Sequence, residues 1–202
     1  QQQQKATPTK GHPPRASPTD PDARFMRMPD GGTRPAYNVH LAADTESRVI
    51  VGVDVTNVGS DAGLGTPMRQ EVEQSTGQEV KEQLLDGGYV KLDDVDTTAA
   101  DETTLYMPVP RPRKKDTDPH QPKRGDSAAV AAWRKRMGTE DAKAVYKERA
   151  ATIETINGEL KTERGLTQFR VRGLSKARCV VLWSVLAYNV VHVGAVLPRL
   201  MS

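Results

Sequence analysis

The chain has 202 residues, 27% of them charged, with a formal net charge of +3 and a sequence pI near 9.0. That length holds one domain with a real core, or one domain plus tails. Mild basicity permits a nucleic-acid partner without demanding one, and an aromatic content of 4% argues against a single-strand binder that stacks bases. The lone Cys179 excludes an internal disulfide and a thiolate metal site, as in a reducing cytoplasm. His12, His40, His120 and His192 are scattered without ligand spacing, so no zinc site is expected. The chain opens on Gln1 with no signal peptide, which reads as a fragment or a processed product.

Residues 1–35 read as a disordered linker, with Pro8, Pro13, Pro14, Pro18, Pro21, Pro29 and Pro35 among few apolar residues. Asp30-Gly31-Gly32 marks a turn into the first ordered element. Ala36–Ala43 and Arg48–Val55 are two β-rich runs joined by a short polar loop, a hairpin signal. Val49, Val51, Val53 and Val55 alternate, so one face is expected to be buried. Pro67 opens a helix to about Thr76.

Val80–Leu85, followed by Asp86-Gly87-Gly88-Tyr89, looks like a short strand that delivers a carboxylate to a sheet's C-terminal edge. The same letters also read as a polar turn with a capping Asp. A short acidic helix at Lys91–Asp101 and a strand at Thr104–Val109 follow. Residues 108–126 then change character. Arg111, Arg113, Lys114, Lys115, Lys123 and Arg124 share a basic proline-rich loop, suited to DNA phosphates or to a solvated linker.

From Ser127 to residue 197 the pattern is helical: Ser127–Met137, then a long helix from the N-cap Thr139 to Arg164 before Gly165. In the long helix Tyr146, Ala150, Ile153, Ile156 and Leu160 share a broad face, with Glu154 at its border. Lys161 lies two turns on from Glu154 and projects from nearly the same side. Ser175 caps a last helix whose run Cys179–Leu197 is almost wholly apolar. Its nineteen residues reach the lower edge of a membrane span. Ser184, Asn189, His192 and Pro198 favour a buried core helix instead.

These stretches together resemble the DDE transposases of bacterial insertion sequences, in the group with an RNase H-like catalytic domain. The resemblance rests on Gly31–Asp44, on Thr56-Asn57 with Asp61, and on Leu85–Tyr89. It continues through Tyr146, Arg149, Glu154 and Lys161, then Arg172-Gly173-Leu174 and Leu186-Ala187-Tyr188-Asn189. It implies an α/β fold, a mixed sheet in residues 36–107 flanked by helices, with an all-helical C-terminal part. Asp86 and Glu154 would be the second and third catalytic, metal-binding acids, with Tyr146, Arg149 and Lys161 as accessory residues. Two departures stand out: His40 where many members carry Gln, and four residues between Arg149 and Glu154 where the best-known form has three.

The resemblance also implies a first catalytic Asp on a first, central strand upstream of the linker. Nothing before Asp20 reads as a strand, so the sheet is expected to be incomplete and the chain inactive alone. The implied activity is DNA cleavage and strand transfer at insertion-sequence ends, on a pair of Mg²⁺ (or Mn²⁺) ions. Implied partners are double-stranded DNA of the transposon ends and target, and further copies of the full-length chain. The implied place is the bacterial cytoplasm, at the nucleoid and off the membrane. The competing expectation is a non-catalytic DNA-binding remnant that uses the basic loop.

Overall fold

A computed structural model describes residues 17–28, 30–112 and 117–200, with side chains to residue 194. It is a mixed α/β structure with five α-helices and three two-stranded sheets among the described residues. The valine alternation builds the longest strand pair. Strand β3 (Asn38–Ala43) runs antiparallel to β4 (Ile50–Thr56), from Asn38↔Thr56 to Ala43↔Ile50, with a bulge at Ala42/Ala43. Ile50, Val53 and Val55 bury against Ile156 and Leu160 of α4 (Glu140–Thr162) and against Val181, Val185 and Tyr188 of α5 (Leu174–Leu200). On the other face lies α1 (Gly65–Thr76), so close that a Cβ on Gly52 would meet Met68 Sδ at 2.7 Å. Only glycine permits that approach.

The second core forms around β5 (Glu82–Leu84) and β6 (Thr104–Tyr106), paired in parallel. Parallel pairing needs a crossover, and α2 (Leu92–Ala100) supplies it. Leu105, Met107, Val95 and Trp133 of α3 (Ala128–Met137) fill this core, and Trp133 Nε1 donates to Met107 O at 3.0 Å. The expected strand to Val109 ends at Tyr106 because the chain turns into Pro108 and Pro110. Ser127 and Thr139 cap α3 and α4, their hydroxyls accepting from Val130 N at 3.1 Å and Ala142 N at 3.2 Å.

The linker expected over residues 1–35 differs where it is described. Strand β1 (Arg24–Arg27) pairs antiparallel with β2 (Thr33–Ala36), around a turn in which Gly31 has φ +82°. Residues 17–23 form a strap fixed by polar contacts, with Ala23 buried. Asp20 accepts from the Tyr37 hydroxyl at 2.8 Å and from Gly173 N, and Asp22 accepts from Leu174 N at 3.0 Å. These two carboxylates serve the N-terminus of α5, where unpaired N–H groups and the helix dipole favour anions. Ser175 is therefore not the cap; the helix begins one residue earlier.

Burial raises the Asp20 pKa, but hydrogen bonds from Tyr37 and Gly173 outweigh it and hold the carboxyl below its ordinary value. A depressed folded pKa contributes stability above the unfolded value and loses it as pH falls through the folded one. Acid melts should therefore show a loss below about pH 4. Asp20→Asn is expected to remove about 1–2 kcal/mol at neutral pH and to flatten that acid limb. An unchanged melting curve at pH 7 would contradict the strap.

One opening divides the two cores. A cavity of about 810 Å³ is lined by Leu41–Ala43 of β3, by Val80–Leu85 around β5, by Met68 and Val72 of α1, and by Thr152 and Ile153 of α4. It is a cleft open to solvent rather than an enclosed void.

Helix α5 is amphipathic in effect despite its apolar sequence. Ala177, Val181, Val185 and Tyr188 form its docked stripe, while Leu182, Trp183, Leu186, Val190 and Val191 are exposed. Leu174–Gly194 has the length and apolar composition to cross a membrane, yet its docked stripe belongs to the first core.

Candidate active site

Asp86 follows β5 directly, at the C-terminal end of a strand in a parallel pair. Leu85 N still donates to Tyr106 O, so the carboxylate is presented where pairing stops. Both sequence readings of Asp86 meet here. It is the N-cap of the 3-10 turn Gly87–Tyr89, its Oδ1 accepting from Gly88 N at 3.0 Å, and its side chain is 57% exposed. A Cβ on Gly88 would stand 3.2 Å from Asp61 Oδ2, so this turn packs against a second carboxylate.

Arg149 of α4 reaches the same place. Its Nη1 lies 3.7 Å from Asp86 Oδ2, and its guanidinium stacks over the Tyr146 ring at 5.5 Å from the centroid. Burial raises the Tyr146 pKa, and Arg149 opposes that rise. Asp86, Arg149 and Tyr146 thus form one group across strand and helix. Arg149 in this arrangement pairs with Asp86.

Glu154 and Lys161 do not join them. Both are exposed on α4 and make no hydrogen bond or ion pair among the described residues. The reason is helical phase: Arg149, Thr152 and Ile153 line the cavity and Ile156 and Leu160 enter the core. Glu154 falls beyond that face. Arg111, Lys123 and Arg124 are exposed, as a phosphate-binding loop requires, and Asp126 pins the loop's end through Arg134 at 2.8 Å. Arg113, Lys114 and Lys115 lie outside the described residues.

Sequence reasoning assigned no role to the polar cluster next door. His40 is buried, with Nδ1 2.7 Å from the Tyr89 hydroxyl and Nε2 3.9 Å from Asp61 Oδ1. Asn38 Nδ2 donates to the other side of this cluster, at 2.6 Å from Asp61 Oδ1. Burial, reinforced by Asp61 and Asp86, pushes the Tyr89 hydroxyl up to about 12. Burial lowers His40 against the pull of Asp61 and Asp54. A neutral tyrosine therefore faces a neutral histidine near pH 7, which ties β3 to the Asp86 turn. In the strand register His40 stands opposite Asp54.

A divalent metal pair needs several converging oxygen ligands. Among the described residues no group of three or more His, Cys, Asp or Glu side chains is placed to hold an ion. Asp86 and Glu154 by themselves do not fit one.

No curated protein and no solved structure matches the chain. Residues 112–193, the stretch that carries Tyr146, Arg149, Glu154 and Lys161, match the family model of the Transposase DDE domain, and this supports a DDE transposase.

Proposed function

We propose that this chain is the C-terminal part of a DDE transposase of a bacterial insertion sequence. Its RNase H-like sheet and its catalytic acids are completed by a segment outside residues 17–200. The observation that carries the reading is the meeting of Asp86 with Arg149. A carboxylate at the end of a parallel strand stands against the helix that bears Tyr146, Glu154 and Lys161 within the matched stretch. The reaction is phosphodiester cleavage and strand transfer on double-stranded DNA, at transposon ends and target, by an oligomer of the full-length protein in the cytoplasm. Mg²⁺ or Mn²⁺ is the cofactor of the completed site, and the 202-residue chain alone is inactive.

The test uses the chain extended by its native upstream coding sequence, on supercoiled plasmid carrying the element's ends. Nicking in Mg²⁺ should vanish in EDTA and in Asp86→Asn or Glu154→Gln, while DNA binding stays within about twofold. Cleavage that survives both substitutions would sink the assignment of the acids.

A second reading, a DNA-binding remnant, is favoured by the exposed Arg111, Lys123 and Arg124. Replacing Lys123 and Arg124 by Ala should weaken duplex binding at all sequences and lower the slope of log affinity against log salt by about 2. An unchanged slope in a gel-shift series would remove this loop from the DNA.

A further inference from the structure

We propose that Tyr89 and His40 are positioning residues for Asp86: together they anchor the turn that carries its carboxylate. The effect on catalysis rests on the reading of Asp86 as an acid of the active site, whereas the anchor itself stands on geometry alone. Asp86 is weakly fixed by its own contacts. Its side chain is 57% exposed, and among the described residues it has one hydrogen bond, from Gly88 N at 3.0 Å, and one ion pair, to Arg149 at 3.7 Å. The backbone bond between strands ends one residue earlier, at Leu85. The next two residues are Gly87 and Gly88, which bring backbone freedom and no side chain to hold the turn. Tyr89 is therefore the first residue past Asp86 whose side chain can fasten it.

The fastening crosses from one core to the other. Asp86 follows β5 in the second core. The Tyr89 hydroxyl meets Nδ1 of His40 on β3 at 2.7 Å, with the two rings edge to face at 5.8 Å between centroids. His40 is a firm post: it is 3% exposed and sits mid-strand, opposite Asp54 in the longest strand pair. Asp61 braces the same turn from the side. Its Oδ1 accepts from Asn38 Nδ2 at 2.6 Å, and its Oδ2 would stand 3.2 Å from a Cβ on Gly88. A reacting group has to be held to about 0.5 Å, and a misplacement of about 1 Å costs roughly a hundredfold in rate. An exposed carboxylate on a glycine turn reaches that precision only through what holds the turn.

The first measurement uses the 202-residue chain and needs no activity. Backbone NMR order parameters at Gly87 and Gly88 should be about 0.85 in the parent and fall below about 0.6 in Tyr89→Phe, with Val53 unchanged. His40→Asn keeps an amide where Nδ1 stands, so it should hold the turn near the parent value. Tyr89→Phe combined with His40→Leu strands no polar atom, which restores stability without restoring the bond. Its turn should stay loose, and this double variant decides the matter if Tyr89→Phe alone does not fold. The anchor is overturned if the order parameters of Tyr89→Phe match the parent's, or if they recover in the double variant.

The second measurement is nicking by the upstream-extended chain. Tyr89→Phe should lower kcat about tenfold and leave KM for DNA within about twofold, with His40→Asn close to the parent. If Asp86→Asn nicks as well as the parent, the reading of Asp86 fails and the effect on catalysis falls with it, while the order parameters still decide the anchor. If Asp86→Asn is dead and Tyr89→Phe nicks at the parent rate, the reading of Asp86 stands and the positioning role is overturned.

Discussion

Trp133→Ala is expected to remove about 3–5 kcal/mol of stability, the range for deleting a fully buried aromatic. Trp133 has no exposed surface, and neither does Met107, whose carbonyl accepts the indole N–H at 3.0 Å. Truncation leaves a void between α3 and β6 and also strands that carbonyl, a loss of about 1–3 kcal/mol on its own. Against a domain stability of roughly 5–15 kcal/mol, one substitution decides whether the second core survives. A urea series should show the midpoint falling with the slope unchanged. Trp133→Phe keeps most of the volume and loses only the hydrogen bond, so it should lie about 1–2 kcal/mol below the parent. A Trp133→Ala loss smaller than that of Trp133→Phe would contradict this packing.

Asn189→Ala should have the second large effect, about 2–4 kcal/mol. The Asn189 side chain accepts from Ile50 N at 3.0 Å and donates to Ile50 O at 2.8 Å, which closes the end of β4 with a side chain in place of a strand. Tyr188 donates to Arg48 O at 3.2 Å, and the His192 ring nitrogen lies 2.7 Å from Ser47 O. Three polar side chains on one stripe of α5 thus satisfy the backbone of the β3–β4 loop. Asn189→Ala frees both groups of Ile50, which is itself 4% exposed. Exchange of the Ile50 amide should accelerate more than that of Val53, which keeps its strand partner. Equal acceleration at both would point to general loosening instead of a lost clip.

Local patterns were readable in the sequence. Valine alternation marked β4, and Ser127 and Thr139 announced their helices because both signals are local and written within four residues. The Leu186–Asn189 stretch stood out as letters, but its clip on Ile50 is a contact across 139 residues and has no local pattern. The strap failed for the same reason. Its proline-rich composition reads as linker, while its order comes from Asp20 reaching Gly173, 153 residues away. At the candidate site, order along the chain linked Asp86 with Tyr146 and Arg149. Glu154 lay at the border of the apolar face in the sequence, and the structure turns it outward while Arg149 reaches Asp86. His40 carried no sequence signal strong enough to earn a role; only its burial beside Tyr89 and Asp61 gives it one.

The proposed function makes this chain one part of a catalytic domain whose first strand and first acid lie outside residues 17–200. The most direct test is the DNA sequence immediately upstream of the codon for Gln1 in its source. The expected result is an open frame continuing upstream, with a short run of β-branched residues bearing an Asp. A stop codon or frameshift there would contradict it and leave the chain as a remnant, with DNA binding through Lys123 and Arg124 as the activity to measure.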